Sequence, residues 1–245
     1  MGHLDRYVEL KRSVDRGWYI PQIMFPVRPR GFGTALEEYG DTLASIYRSV
    51  QRRTGCEVIV DSSKDPSHGF VLSSVPGIEL YTLQLVRDSR AVSHSWTRKK
   101  LRPEVRSHAE YMKTYRPAHT AVHWLVRNML VRSLAAFSQN YMLLRYEDLV
   151  TDPATVLQRI VRLVGADSAV PTEAERRRTD AADAHAFAGN PVRFDTRNVT
   201  VRPDVEWCDA MARTHKLSVT LITMPLLFGY GYLPKRSLKS PFMTG

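Results

Sequence analysis

Cysteine is almost absent from this 245-residue chain, which carries only Cys56 and Cys208. Two thiols cannot build a disulfide framework, and no CxxC pair or Cys/His run has zinc-site spacing. A reducing, cytoplasmic setting without a metal is therefore expected. Long apolar runs are missing too. The longest, near 217–228, is interrupted by Thr and Pro, and the first twelve residues are charged, so neither a membrane span nor a secretory leader is expected. Internal repeats, low-complexity linkers and the phosphate-loop pattern GxxxxGK[ST] do not occur. Acid is in deficit: 25 Asp and Glu face 35 Lys and Arg, a formal charge of +10. That excess favours an anionic partner, whether a nucleotide, a phosphorylated cofactor or a nucleic acid. A nucleic-acid binder would cluster its basic residues with aromatics or show a recognition helix; neither pattern is found, and no nucleic-acid partner is expected.

What is present is ordinary globular composition, 43% hydrophobic and 9% aromatic, enough for one domain over 1–245 with a substantial core. Thr34 with Glu37 has capping-box spacing ahead of Leu36, Tyr39, Leu43, Ile46, Tyr47 and Val50, which predicts a helix stopping near Gly55. Val58-Ile59-Val60 is a short β-branched run suited to a buried parallel strand. Asp65-Pro66 supplies an N-cap and a first-turn proline for a helix over 68–75, and the next strand reads 80–86. Strand, helix and strand predict a βαβ unit. Both Ser62-Ser63-Lys64 and Arg87-Asp88-Ser89-Arg90 then stand at strand carboxyl ends, where open α/β sheets bind ligands. Beyond them the spacing predicts a helix over 118–137, with Val122, Leu125, Leu130, Leu134 and Phe137 as its apolar residues. A strand follows over 141–146, and a helix from Asp152-Pro153 to Gly165.

Arg87 at a strand end, followed by a helix start, has the chemistry of an anion site. Backbone N–H groups and a guanidinium fork would face the same ligand, and Ser95 two turns on could add a hydroxyl. A capped helix with solvated arginines fits the same spacing. Lys64 could neutralise charge on a bridging oxygen during sulfuryl or phosphoryl transfer, or be an exposed lysine beside a helix cap. Arg98, Lys99, Lys100 and Arg102 read as a solvated basic face or as a surface for an acidic acceptor.

Together the motifs become specific. The run Val58 to Lys64, the run Leu85 to Val92 with Ser95, Leu144-Arg145-Tyr146-Glu147-Asp148-Leu149 before Asp152-Pro153, and His185 with Gly189-Asn190-Pro191 and Arg193-Phe194 resemble the sulfotransferase superfamily, bacterial type. The motifs lie within roughly 56–207. The resemblance implies a three-layer α/β fold of P-loop-kinase type, with a mainly parallel sheet flanked by helices. It implies that 3′-phosphoadenosine 5′-phosphosulfate (PAPS) is the sulfuryl donor. Arg87 and Ser95 would hold the 3′-phosphate, Tyr146 would approach the adenine and Arg193 would close over the phosphates. Ser62 and Ser63 would bind the donor, with Lys64 as the catalytic residue steadying the leaving phosphate or sulfuryl oxygens. The acceptor would be a hydroxyl or amine of a small molecule, glycan or lipid. Oligomeric state is not legible.

Family members begin with a strand and an Arg/Ser/Gly/Thr loop that cradles the 5′-phosphosulfate, and no such motif stands here. The nearest arrangement is Ile23-Met24-Phe25 leading into Arg28-Pro29-Arg30-Gly31-Phe32-Gly33-Thr34. The expectation is an N-terminally incomplete fold, its first strand upstream of Met1 or lost. That leaves a second reading open, a degenerate nucleotide-binding module without transferase activity.

Overall fold

The computed structural model describes residues 2–25, 28–101, 110–138, 140–166 and 205–233. Helix α1 (His3–Val14) is followed by a 3₁₀ turn at Gly17–Tyr19 and by α2 (Ile20–Met24), α3 (Phe32–Thr54) and α4 (Pro66–Ser73). Next come strand β1 (Tyr81–Val86), α5 (Ser89–Ser95), α6 (Pro117–Leu134) and β2 (Asn140–Arg145). The described chain ends with α7 (Tyr146–Thr151), α8 (Pro153–Leu163), α9 (Trp207–Ala210) and α10 (Arg213–Gly229). Helix and strand are thus mixed, and β1 and β2 pair in a small parallel sheet.

Two compact units are resolved, the first from 1–84, 129–143 and 160–166, the second from 85–128, 144–159 and 167–245. In the first, Leu10 and Val14 of α1, Ile20 and Ile23 of α2, Leu36, Tyr39 and Leu43 of α3 and Phe70, Val71 and Leu72 of α4 form one apolar cluster with Leu134. The helical spacing read from 36 to 43 is what puts that face of α3 inside. Farther along the same helix Ile46 and Val50 are exposed. The helix stops where expected because Gly55 adopts φ 70°, the left-handed conformation that glycine takes without strain. In the second unit Ala121, Met211 and Val219 form the apolar centre, with Trp207 and Ile222 against it, and the buried hydroxyls of Ser89 and Thr223 pair at 2.7 Å.

Several expectations are corrected. Residues 58–60 form no strand, and Val60 is 87% exposed. A strand is held by ladder hydrogen bonds to a neighbour, and among the described residues only β1 and β2 pair, so the βαβ unit expected around α4 lacks its first strand. Ser62-Ser63-Lys64 accordingly follows irregular chain rather than a strand end. Ile23 and Met24 are helical, not extended, and Arg28 donates to the carbonyls of Gln22, Ile23 and Phe25, closing the end of α2. The segment offered as a substitute for the phosphate cradle is therefore a helix-terminating turn. Helix α3 starts at Phe32 behind Gly31, so Thr34 lies inside it and no capping box forms. Val122 and Phe137 are exposed rather than buried. Helix α8 opens at Pro153, with Asp152 accepting from the Thr155 N–H at 3.1 Å, and gives way to Gly165, as read.

Candidate functional site

In the second unit the carboxyl end of β1 delivers Arg87 and Asp88, and α5 begins at Ser89. The strand–turn–helix read from the sequence is therefore present, and two of its amides have carboxylate acceptors. The Asp88 carboxylate accepts from the Arg90 N–H at 2.8 Å, and the Asp88 N–H donates to Glu147 at 3.2 Å. Arg90 is held by the same aspartate at 2.6 Å and stacks on Trp207, with its guanidinium carbon 4.5 Å from the ring centre. The protein's own carboxylates thus take the Asp88 and Arg90 amides.

Three cations lie near this turn. The Arg87 guanidinium lies over the Tyr146 ring at 5.1 Å, a cation–π contact that orients the fork. Its backbone carbonyl accepts from the Trp124 indole at 3.1 Å, which pins the turn to α6. Lys100 donates to the Ser95 hydroxyl at 3.0 Å. The Lys100 ammonium has its pKa lowered, first by desolvation and then by the like charges of Arg98 and Arg87. A cation pressed toward two others is the electrostatic signature of a site that gains from an anion. Arg98 is engaged by Glu206 at 2.5 Å. Arg87, Ser95 and Tyr146 all lie in this one unit, and Lys100 lies against Ser95.

The turn behind Arg87 has a second fastening. The Tyr232 hydroxyl lies 2.5 Å from Glu147 and 3.1 Å from the Val86 carbonyl, while Glu147 also accepts the Asp88 amide. Burial, then the Glu147 hydrogen bond, drives the Tyr232 phenol well above its ordinary pKa. Glu147→Ala leaves the Asp88 amide without its acceptor. It is expected to lower stability by about 1–3 kcal/mol, read by chemical denaturation, with Arg87 in place but its turn loosened.

In the first unit Ser62, Ser63 and Lys64 are exposed just ahead of α4. Asp61 accepts from the Ser63 N–H at 2.6 Å and from the Tyr47 hydroxyl at 2.5 Å. Burial alone would raise the Asp61 pKa, but hydrogen bonds from Ser63 and Tyr47 and the charge of His68 bring it down to about 2. Arg193 and His185 lie outside the described residues.

The chain is thus a mixed α/β protein with an arginine, a lysine and a serine following the carboxyl end of a parallel strand. Residues 71–192 match the sulfotransferase domain family. That match, over about half of the chain, is consistent with a member of the sulfotransferase superfamily. Arg87, Ser95, Lys100 and Tyr146 fall inside the matched stretch, whereas Ser62 to Lys64 precede it and Arg193 follows it. No curated protein and no solved structure matches the chain.

Lys100 and Glu147 escaped the sequence reading as site residues. Nothing in the local pattern distinguishes Lys100 from its neighbours Arg98 and Lys99; only the return of the chain, with the Met112 amide on the Lys100 carbonyl and Leu101 bridged to Tyr111, fixes it beside Ser95. Glu147 was visible as part of a motif but not as the brace of another turn 59 residues away.

Proposed function

We propose that the protein transfers a sulfuryl group from PAPS to a hydroxyl or amine of a small-molecule, glycan or lipid acceptor. The observation that carries the reading is Lys100 donating to the Ser95 hydroxyl in the unit where Arg87 lies over Tyr146, all four within the matched family stretch. Those donors fit a phosphate dianion: a planar fork, a point charge and a hydroxyl. Arg87, Ser95 and Lys100 would hold the nucleotide's 3′-phosphate, and Tyr146, with one face under Arg87, would border the adenine. Lys64 would neutralise charge on the transferred group's oxygens, with Ser62 and Ser63 beside it as donors. Arg193 would close on the phosphates. The bound nucleotide supplies an activated sulfuryl group; the residues named here bind and orient it and offset its charge. The three-layer arrangement of P-loop-kinase type and a cytoplasmic location belong to the same reading.

The acceptor side has one structural pointer. An exposed run of rings, Trp96 on Tyr115 at 5.5 Å, Tyr115 on His119 at 5.1 Å and His119 on His123 at 4.5 Å, starts at the residue after Ser95. Flat ring surfaces of this kind suit a sugar or a planar acceptor.

The test is release of adenosine 3′,5′-bisphosphate from PAPS by the purified protein and by Lys100→Met. Turnover is expected, with the variant raising KM roughly 10-fold at nearly unchanged kcat, the pattern of lost ground-state binding. Tight PAPS binding without release would favour the binding-module reading instead.

A further inference from the structure

Helix α10 (Arg213–Gly229) is apolar on two opposite sides. At about 100° per residue Val219, Leu226 and Leu227 fall on one side, and all three are buried. Leu217, Leu221, Met224 and Phe228 fall on the other, within a wedge of about 60° at the same pitch. They are 61%, 57%, 47% and 53% exposed. A surface helix ordinarily turns charged residues outward, but none occurs between Lys216 and Lys235. One exposed leucine means little. Four apolar side chains aligned over about three turns form a strip of the kind that marks a contact surface.

The charges that accompany the strip indicate what it contacts. From 210 to 245 the sequence has no Asp or Glu, against Arg213, Lys216, Lys235, Arg236 and Lys239. Arg213 and Lys216 stand in the first turn of α10, directly ahead of Leu217. Lys216 donates to the Cys208 carbonyl, a neutral partner that leaves its charge uncancelled. A second copy of the chain laid on the strip would bring the same cations and no acid from this stretch to meet them, so like charges would oppose the pairing. An anionic lipid surface suits both features: apolar side chains enter the boundary between headgroups and acyl chains, and cations meet the phosphates. No helix among the described residues is long and apolar enough to cross a membrane, and the inner side of α10 is already packed, so the contact is one-sided. We propose that α10 is a membrane-docking helix, which lays Leu217, Leu221, Met224 and Phe228 into the surface of an anionic bilayer with Arg213 and Lys216 on its phosphates. The proposal stands apart from the sulfuryl-transfer reading and uses only residues of the second unit.

The test is flotation of the purified protein with vesicles of phosphatidylcholine alone and of phosphatidylcholine mixed with phosphatidylglycerol. Wild type is expected to float with the mixed vesicles, and less so as salt is raised. On those vesicles Leu221→Ser and Phe228→Ser are each expected to lower the partition coefficient roughly 5- to 30-fold, and Arg213→Gln about 5-fold. Both serine positions are exposed, so denaturation midpoints should stay close to wild type. Ile46→Ser, at an exposed position of α3, should leave flotation unchanged. A wild type that floats with neither vesicle overturns the proposal. Flotation weakened by Arg213→Gln but by neither serine variant of α10 is adsorption of a basic protein, and overturns it too. Equal loss in Ile46→Ser does the same, since the effect is then general to exposed apolar residues. A dimer by light scattering that the α10 variants dissociate, with no flotation, gives the strip to a second copy and also overturns the proposal.

Discussion

Arg87→Ala is expected to weaken binding of adenosine 3′,5′-bisphosphate roughly 30- to 100-fold, the equivalent of about 2–3 kcal/mol for a charge-assisted, forked pair of hydrogen bonds. The side chain leaves the end of β1 where Trp124 fixes its carbonyl and Tyr146 lies under its guanidinium, so its direction is set before any ligand arrives. A preset fork loses little freedom on binding, and its removal is correspondingly expensive. Lysine at the same position should recover only part of the loss, since a point charge neither spans two oxygens nor lies flat on Tyr146 in the same way. Isothermal titration at constant salt reads both variants. The fold should survive, because Asp88, Glu147 and Tyr232 fasten this turn through bonds that the substitution leaves in place.

The largest stability effect is expected from Asp15→Ala. The Asp15 carboxylate accepts from Ser67, Lys11 and Tyr39 and faces His68, so its loss strands a buried hydroxyl and a buried imidazole at once. Breaking a buried, charged network from one side costs about 3–5 kcal/mol. The same carboxylate sets an acid limit. Burial by itself would raise the Asp15 pKa, but His68, Lys11 and Ser67 override it and hold the group well below the ordinary carboxylate range; Asp61 is brought down to about 2. Both groups bind protons more weakly folded than unfolded. Their stabilisation is therefore complete above the ordinary carboxylate value near pH 4 and drains away as pH falls from there toward 2. Denaturant midpoints should be flat with respect to these groups between pH 5 and 7 and fall steeply below 4. Asp15→Ala, already lower, should show a shallower acid slope.

Local signals carried the elements that local chemistry decides. Gly55 ends α3, Asp152-Pro153 opens α8 and Arg87 stands at a strand end, each because a cap, a ring or a strand-to-helix change acts over a few residues. What tertiary partners decide was not legible. Val58-Ile59-Val60 has the composition of a core strand, yet among the described residues no edge is paired to it, and composition cannot create a ladder partner. Thr34 has the right partner at Glu37, but Gly31 starts the helix earlier. In the candidate site the motif residues Arg87, Ser95 and Tyr146 were recognisable. Their supports were not, because Glu147 reaches Asp88, Lys100 reaches Ser95 and Asp15 reaches His68 only once the chain has folded back. Asp88 caps its own helix start by accepting the Arg90 amide, a contact that the motif alone did not reveal.

The central claim is that the Arg87, Ser95 and Lys100 cluster recognises the 3′-phosphate of an adenine nucleotide. The most direct test is calorimetric comparison of adenosine 3′,5′-bisphosphate with adenosine 5′-monophosphate on the wild-type protein at fixed moderate salt. The account predicts that the 3′-phosphorylated nucleotide binds at least about 30-fold more tightly, as expected where one phosphate meets a fork, an ammonium and a hydroxyl. Equal affinity for the two nucleotides would contradict it.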